Sequence, residues 1–484
     1  MSETTDLRTV DVVVIGGGPV GENVADRAGR DGSEVLVVEA ELVGGECSYW
    51  ACMPSKALLL PGHALAAARR LPGAAAAVTG RVDADAVLAR RTQFTHGWDD
   101  SSQADWLSSA GIGLLRGSAR LAGARRVEVV SADGTTTLVE ARRAVVLATG
   151  SEPVLPDIDG LPQARAWGSR EATSAEHVPA RLAVLGGGVV GVELAQAYAR
   201  LGSEVTLLAR SGLLGGYESV AGELLADALR EEGVDVRLGS GVERVRRETA
   251  GAEEITLTVG GPDGSAELVV DEFLVATGRR PATLGVGLET VGLQDGATLE
   301  VDDSGLVAGV DGEWLYAVGD VSGRAPLTHQ GKYAARATGD AIVARAVGTL
   351  TGDPAPFSPW AASADRLGAP QVVFTDPEVA MVGLTEARAR ERGLRVRAVD
   401  HDLATVAGAS LTADDFRGHA RMIVDEDRRV VVGVTFVGPG VAELLHSATV
   451  AVVGEVPLDR LWHAVPSYPT ISEIWLRLLE DYGL

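Results

Sequence analysis

Short apolar runs that end in glycine clusters recur along the chain, and each opens a segment of helical periodicity. Residues 11–40 read DVVVIGGGPVGENVADRAGRDGSEVLVVEA, and residues 181–210 read RLAVLGGGVVGVELAQAYARLGSEVTLLAR. Each is an apolar run, a glycine cluster, a helix-period segment, then Gly-Ser-Glu and a second apolar run. That order predicts strand–turn–helix–strand, twice. Each unit later meets a matching strand and turn, VVLATGSEP at 145–153 and FLVATGRRP at 273–281. The expectation is an α/β chain with two doubly wound dinucleotide-binding domains, at 1–150 and 151–280. The stretch 281–350, with LYAVGD at 315–320, is assigned back to the first half, which lacks closing strands of its own. The proline-rich TGDPAPFSPW at 351–360 marks a boundary. Beyond it, strands such as QVVFT and VVVGVTFVG alternate with helices, so 351–484 reads as an α+β domain. Ile471, Ile474, Trp475, Leu478 and Leu479 form the apolar stripe of a last helix, suited to a core or a dimer interface.

Composition narrows the function. The 484 residues carry a net charge of −24, which opposes nucleic-acid backbones and anionic membrane surfaces. No apolar run is long enough to span a bilayer and no signal-peptide pattern precedes the first strand, so a cytoplasmic protein is expected. Cys47 and Cys52 are the only cysteines, which excludes a disulfide scaffold and favours chemistry. Only two lysines, Lys56 and Lys332, stand among 43 basic residues. Where lysine survives such a bias, an ammonium is specifically wanted.

Gly16-x-Gly18-x-x-Gly21 and Gly186-x-Gly188-x-x-Gly191 both fit the dinucleotide fingerprint. With 60 glycines in 484 residues, one bare match is expected by chance. The context carries the signal, because both matches follow a strand and open a helix. The three glycines permit a tight turn, close approach of a pyrophosphate, and helix–strand packing. Eighteen residues after Gly21 stands Glu39, a carboxylate able to accept ribose hydroxyl bonds. Eighteen after Gly191 stands Ala209, followed by Arg210, which suits a 2′-phosphate. The second site is therefore expected to take NADPH in preference to NADH.

Residues 44–60 read GGECSYWACMPSKALLL. This segment resembles the redox-active motif GG-x-C-x-x-x-x-C-x-P-x-K of the class I pyridine nucleotide–disulfide oxidoreductases, which include dihydrolipoamide dehydrogenase, glutathione reductase and mercuric reductase. The resemblance extends over both glycine loops, both Ala-Thr-Gly turns, the Val-Gly-Asp segment and a C-terminal dimerisation domain. It implies a homodimer that binds FAD and passes electrons from NADPH or NADH to a Cys47–Cys52 disulfide. Cys52 would face the flavin and Cys47 the substrate. Lys56 and Glu193 match an ion pair beside the flavin. Asp320 matches the acid that binds the ribityl and phosphate region, and Gly117 and Ala119 match an adenine loop. Thr149, Gly150 and Gly278 belong to the two Ala-Thr-Gly turns. Two cysteines five apart on a regular helix would lie too far apart to bond, so an irregular turn is expected between them.

The sequence departs from the family at its C-terminal signature H-P-T-x-x-E. Here Tyr468 stands for the histidine that serves as acid–base partner, while Glu473 is kept. A phenol near pKa ~10 is a poor base at neutral pH. His463 is a candidate substitute. Between the cysteines, Tyr49 and Ala51 stand where the family has Asn and Gly, and Trp50 is bulky; two aromatics beside the thiols suit either an apolar substrate approach or packing. A further cysteine pair, needed for mercuric reductase activity, is absent. By the resemblance, Tyr468 and Glu473 act on the partner subunit's site. The acceptor is expected to be a small disulfide or another low-mass two-electron acceptor. The alternatives are a quinone reductase with the thiols secondary, and a non-catalytic FAD-binding subunit.

Overall fold

The computed structural model describes residues 6–247, 254–262 and 264–484, and the elements below are counted among these. They form two units, one of residues up to 53 with 92–154 and 279–365, the other of 54–91, 155–278 and 366–484.

The first unit is built on a seven-stranded sheet. Strand Asp6–Ile15 pairs in parallel with Val35–Glu39 on one side and with Thr136–Leu147 on the other. The long strand Thr136–Leu147 serves two neighbours. Its first half meets the antiparallel strand Arg126–Val130, and its end pairs in parallel with Leu315–Ala317. Val12, Val13 and Val14 are wholly buried, as expected for a parallel strand covered on both faces. Helix Pro19–Ala28 follows the first strand, and helix Thr328–Ala346 packs against it. A side chain at Gly331 would come within 2.6 Å of Val20, so glycine allows the two helices to approach closely.

The second unit holds a parallel four-stranded sheet in the order 235–238, 204–209, 181–185, 272–275. A three-stranded antiparallel meander accompanies it. Its C-terminal part is a five-stranded antiparallel sheet in the order 371–373, 378–383, 430–438, 419–425, 396–402. Helices Val441–Val453 and Ile474–Tyr482 share one apolar core with that sheet. The last helix settles its sequence ambiguity in favour of the core. Ile474, Trp475, Leu478 and Leu479 are all buried, and the Trp475 ring meets Phe436 edge to face at 6.1 Å. This is an α/β protein with two dinucleotide-binding folds and a C-terminal α+β domain.

Candidate active site

The first glycine loop leaves strand Asp6–Ile15 with Gly16 at φ +105°, a left-handed conformation in which a side chain would overlap the Ala148 carbonyl. A side chain at Gly21 would overlap the Gly16 carbonyl in the same way. Gly18 is the N-cap of helix Pro19–Ala28, and Gly45 Cα, at 3.9 Å, is the nearest atom to where its side chain would begin. Gly150, at φ +77°, has no atom within 4 Å of that point. An uncapped helix start beside such open space is a cradle that fits a dinucleotide pyrophosphate.

Glu39 ends strand Val35–Glu39 and closes the loop. Its Oε2 accepts from the Gly17 N–H at 2.6 Å and its Oε1 from the Glu41 N–H at 2.7 Å. Each oxygen keeps a second lone pair for a ribose hydroxyl. Burial nonetheless raises this carboxyl above its ordinary value, against the pull of the two backbone bonds. The Gly117 N–H donates to the Glu39 carbonyl at 2.9 Å, which ties Gly117 to the strand end that bears this carboxylate. Ala119 lies half-buried against the core of this unit. Thr149 Oγ1 donates to the Ala282 carbonyl at 2.7 Å. Asp320 Oδ2 accepts from Ser151 Oγ at 2.7 Å, and Arg279 Nε donates to the same Ser151 oxygen at 2.8 Å.

The cysteine motif is fastened to this loop. The Gly44 N–H donates to the Gly17 carbonyl at 2.8 Å. Cys47 lies in the short helix Gly45–Tyr49, which breaks at Trp50 before helix Cys52–Arg69 begins. The irregular turn expected between the cysteines is present, and both side chains are half-buried. Cys52 Sγ lies 3.3 Å from Thr328 Oγ1, in the first turn of helix Thr328–Ala346. The hydrogen bond to Cys52, then burial, push the Cys47 thiol far above its usual range, while Thr328 and the Lys332 ammonium oppose them. Tyr49 is no wall of a substrate channel. It is fully buried, and its hydroxyl donates to the Asp99 carbonyl at 3.3 Å.

The second glycine loop repeats the first. Gly186 at φ +127° would overlap the Ala276 carbonyl if it bore a side chain, and Gly191 would overlap the Gly186 carbonyl. Gly188 is the N-cap of helix Val189–Leu201, with open space where its side chain would begin. Ala209 is buried at the end of its strand, and Arg210 is exposed with no ion pair among the described residues. Gly278 adopts φ +125° with open space beside it. In this unit Lys56 Nζ meets Glu193 Oε2 at 2.7 Å, with Glu193 only 3% exposed. Lys56 stands one helical turn beyond Cys52 on helix Cys52–Arg69.

The C-terminal candidates are not gathered together. Tyr468 is 77% exposed, and His463 is exposed as well. Glu473 is buried; its Oε1 accepts from Arg477 at 2.7 Å, and its Oε2 has no hydrogen-bond partner among the described residues.

Thr328, Ser151, Arg279 and Lys332 stand against these candidates in the first unit. Ser151 and Arg279 directly follow the two Ala-Thr-Gly turns and Lys332 is one of two lysines, while Thr328 carried no signal in the sequence. Glu22, just after Gly21, carried none. Burial raises its carboxyl to about 7, with Lys332 opposing and Glu39 adding to the shift, and its Oε1 has no hydrogen-bond partner among the described residues.

Known proteins match over nearly the whole length. The chain matches the pyridine nucleotide-disulphide oxidoreductase family over residues 10–339 and the dimerisation domain of that family over 369–478. It is 33% identical to mercuric reductase of Streptomyces lividans, across 96% of this chain and 94% of the relative. It is 34% identical to dihydrolipoyl dehydrogenase of Thermus scotoductus, across 96% of each. Among solved structures, LpdA from Mycobacterium tuberculosis aligns with a TM-score of 0.80 at 26% identity, over 98% of this chain and all of that one. The chain therefore belongs to the class I pyridine nucleotide–disulfide oxidoreductases, and is an FAD-dependent enzyme that draws electrons from a nicotinamide dinucleotide and acts through a redox disulfide.

Proposed function

We propose that Cys47 and Cys52 are the redox pair, with Cys52 toward the flavin and Cys47 meeting a small disulfide or a similar low-mass acceptor. The contact of Cys52 Sγ with Thr328 carries this reading. It sets that sulfur at the start of a 19-residue helix, whose free N–H groups and positive end favour a thiolate. Cys47 keeps its proton, so the reduced pair bears one negative charge rather than two. FAD, when bound, supplies hydride chemistry between the two-electron donor and the sulfurs. Gly16, Gly18, Gly21, Glu39, Gly117, Ala119, Thr149, Gly150 and Asp320 hold it. Gly186, Gly188, Gly191, Arg210 and Gly278 hold the nicotinamide dinucleotide. The exposed Arg210, with no carboxylate at Ala209, supports NADPH over NADH.

The ammonium of Lys56, oriented by Glu193, would offset negative charge on a flavin held beside it. The enzyme works as a homodimer in the cytoplasm. The family dimerisation domain and the exposed Val465 and Tyr468 support the first statement. The use of only two cysteines supports the second, and no helix among the described residues is long and apolar enough to cross a membrane.

Tyr468 in place of the histidine favours a second reading, a quinone reductase in which the thiols are secondary. A panel of disulfides and quinones under NADPH, with Cys47→Ser and Tyr468→His alongside, separates the two. In the Cys47→Ser enzyme, flavin reduction persists and disulfide turnover drops at least about 100-fold. Tyr468→His raises disulfide turnover. Disulfide turnover that survives Cys47→Ser overturns the first reading, and wild-type turnover with quinones alone establishes the second.

A further inference from the structure

One face of helix Val189–Leu201 carries three polar side chains that all reach one short segment of the C-terminal domain, two of them also bonding Glu232. Glu193, Gln196 and Arg200 follow the i, i+3, i+7 spacing of one helix face. Glu193 is 3% exposed, and a carboxylate so buried is costly unless both oxygens are paired. Oε2 takes Lys56 Nζ at 2.7 Å, and Oε1 takes the Phe374 N–H at 2.8 Å. Gln196, with no exposure, exchanges two bonds with one residue. The Asp376 N–H donates to its Oε1, and its Nε2 donates to the Asp376 carbonyl, both at 2.8 Å. Arg200 reaches Asp376 Oδ2 at 2.8 Å, and Arg70 reaches the same oxygen at 2.7 Å.

Phe374 is thus held in place from both sides, and its ring covers the Lys56 ammonium, 4.8 Å from Nζ to the ring centre. Its N–H fixes the acid of the ion pair while its ring face fixes the base. Packing alone asks for apolar side chains on a buried helix face, not three polar ones that converge on residues 374–376.

We propose that Phe374, anchored by Gln196 and Asp376, is a positioning residue that sets where the Lys56 ammonium stands and hence how strongly it stabilises the reduced flavin. This rests on the reading that Lys56 lies beside the flavin. A ring over an ammonium confines the cation laterally, which its hydrogen bonds to Glu193 at 2.7 Å and Ser55 at 3.3 Å do less well on their own.

The test compares Phe374→Leu, Phe374→Tyr, Lys56→Met and the double variant Lys56→Met/Phe374→Leu, all as the FAD-loaded enzyme. Two quantities are read: the flavin midpoint potential and the single-turnover rate of flavin reduction by NADPH. Phe374→Leu keeps the N–H and loses the ring. It lowers the potential and slows reduction about two- to fivefold. Phe374→Tyr restores both, and the double variant behaves as Lys56→Met does. Flavin content and thermal midpoint identify a variant that fails to fold, in which case Phe374→Met takes the place of Phe374→Leu. If Phe374→Leu leaves both readings unchanged while Lys56→Met shifts them, the proposal is overturned and the placement of Lys56 stands. If Phe374→Leu acts equally in the Lys56→Met background, the ring works independently of the ammonium and the proposal is overturned. If Lys56→Met shifts nothing, the placement of Lys56 beside the flavin fails first.

Discussion

The two glycine loops share one backbone solution and differ in what surrounds it. Gly16 and Gly186 turn left-handed against a carbonyl, at Ala148 and Ala276, and Gly21 and Gly191 press their helices onto the turn in the same way. The residue after the third glycine then diverges, with Glu22 half-buried beside the first loop and Val192 fully buried beside the second. The ends of the second strands diverge too. Glu39 grips the Gly17 N–H, whereas Ala209 leaves the corresponding place to Arg210 on the surface. The redox motif is fastened to the first loop through Gly44, and the second loop's helix is fastened to the 374–376 segment. On the proposed reading, one geometry serves a resident group at the first loop and a visiting one at the second, and the two differ in their flanking side chains.

The sharpest way to break this comparison is to fill each loop with a side chain in turn. Gly21→Val forces a helix off its strand, an overpacking that costs about 1–3 kcal/mol before any ligand contact is lost. The expected product is a colourless protein, with flavin affinity down at least about 100-fold by fluorescence titration. Gly191→Val is expected to keep its yellow colour and to lose flavin reduction by NADPH to a similar degree. If Gly191→Val also loses flavin, the two loops are not separate sites.

A smaller effect is expected at the strand ends. Arg210→Ala removes a charge-assisted contact to the 2′-phosphate, for which about 1.5–3 kcal/mol is typical. The ratio of kcat/KM for NADPH to that for NADH should fall roughly tenfold or more. Ala209→Asp should push the ratio the same way by repulsion. A ratio that stays fixed in both variants removes Arg210 from the site.

What the sequence showed and what it hid follow from the range of each interaction. The glycine loops, Glu39 and the cysteine motif were legible because their chemistry lies in residue type at short spacing. Gly16 needs its left-handed turn wherever the chain leads afterwards. Lys332 and Glu22 influence one another across 310 positions, and their relation arises only when two helices meet at Gly331. Phe374 contributes a backbone N–H and a ring face, neither of which marks a sequence as functional. Tyr49 stayed open between substrate approach and packing because an aromatic beside a thiol motif carries no direction. Its ring turned into the core while Trp50 stayed half-buried.

The smallest expected effect tests the divergence just after the third glycine. Glu22 titrates at about 7 instead of its ordinary 4.5, because burial penalises the charged form. Between those two values the folded protein holds a proton that the unfolded chain has released. The stability this group contributes is complete below pH 4.5 and is lost as the pH rises through 7. Lys332 limits the loss, since its ammonium favours the carboxylate. Glu22→Gln is uncharged throughout and removes that slope. The flavin-loaded variant should match the wild type at pH 4.5 and exceed it at pH 8 by on the order of 1–2 kcal/mol, a few degrees at most in a chain this long. Lys332→Met should do the reverse, since a bare carboxylate beside Glu39 is then driven further toward its protonated form. Parallel melting curves for Glu22→Gln and wild type from pH 4.5 to 8 would show that Glu22 ionises as freely as a surface acid. The first loop would then tolerate the charge that the second replaces with Val192.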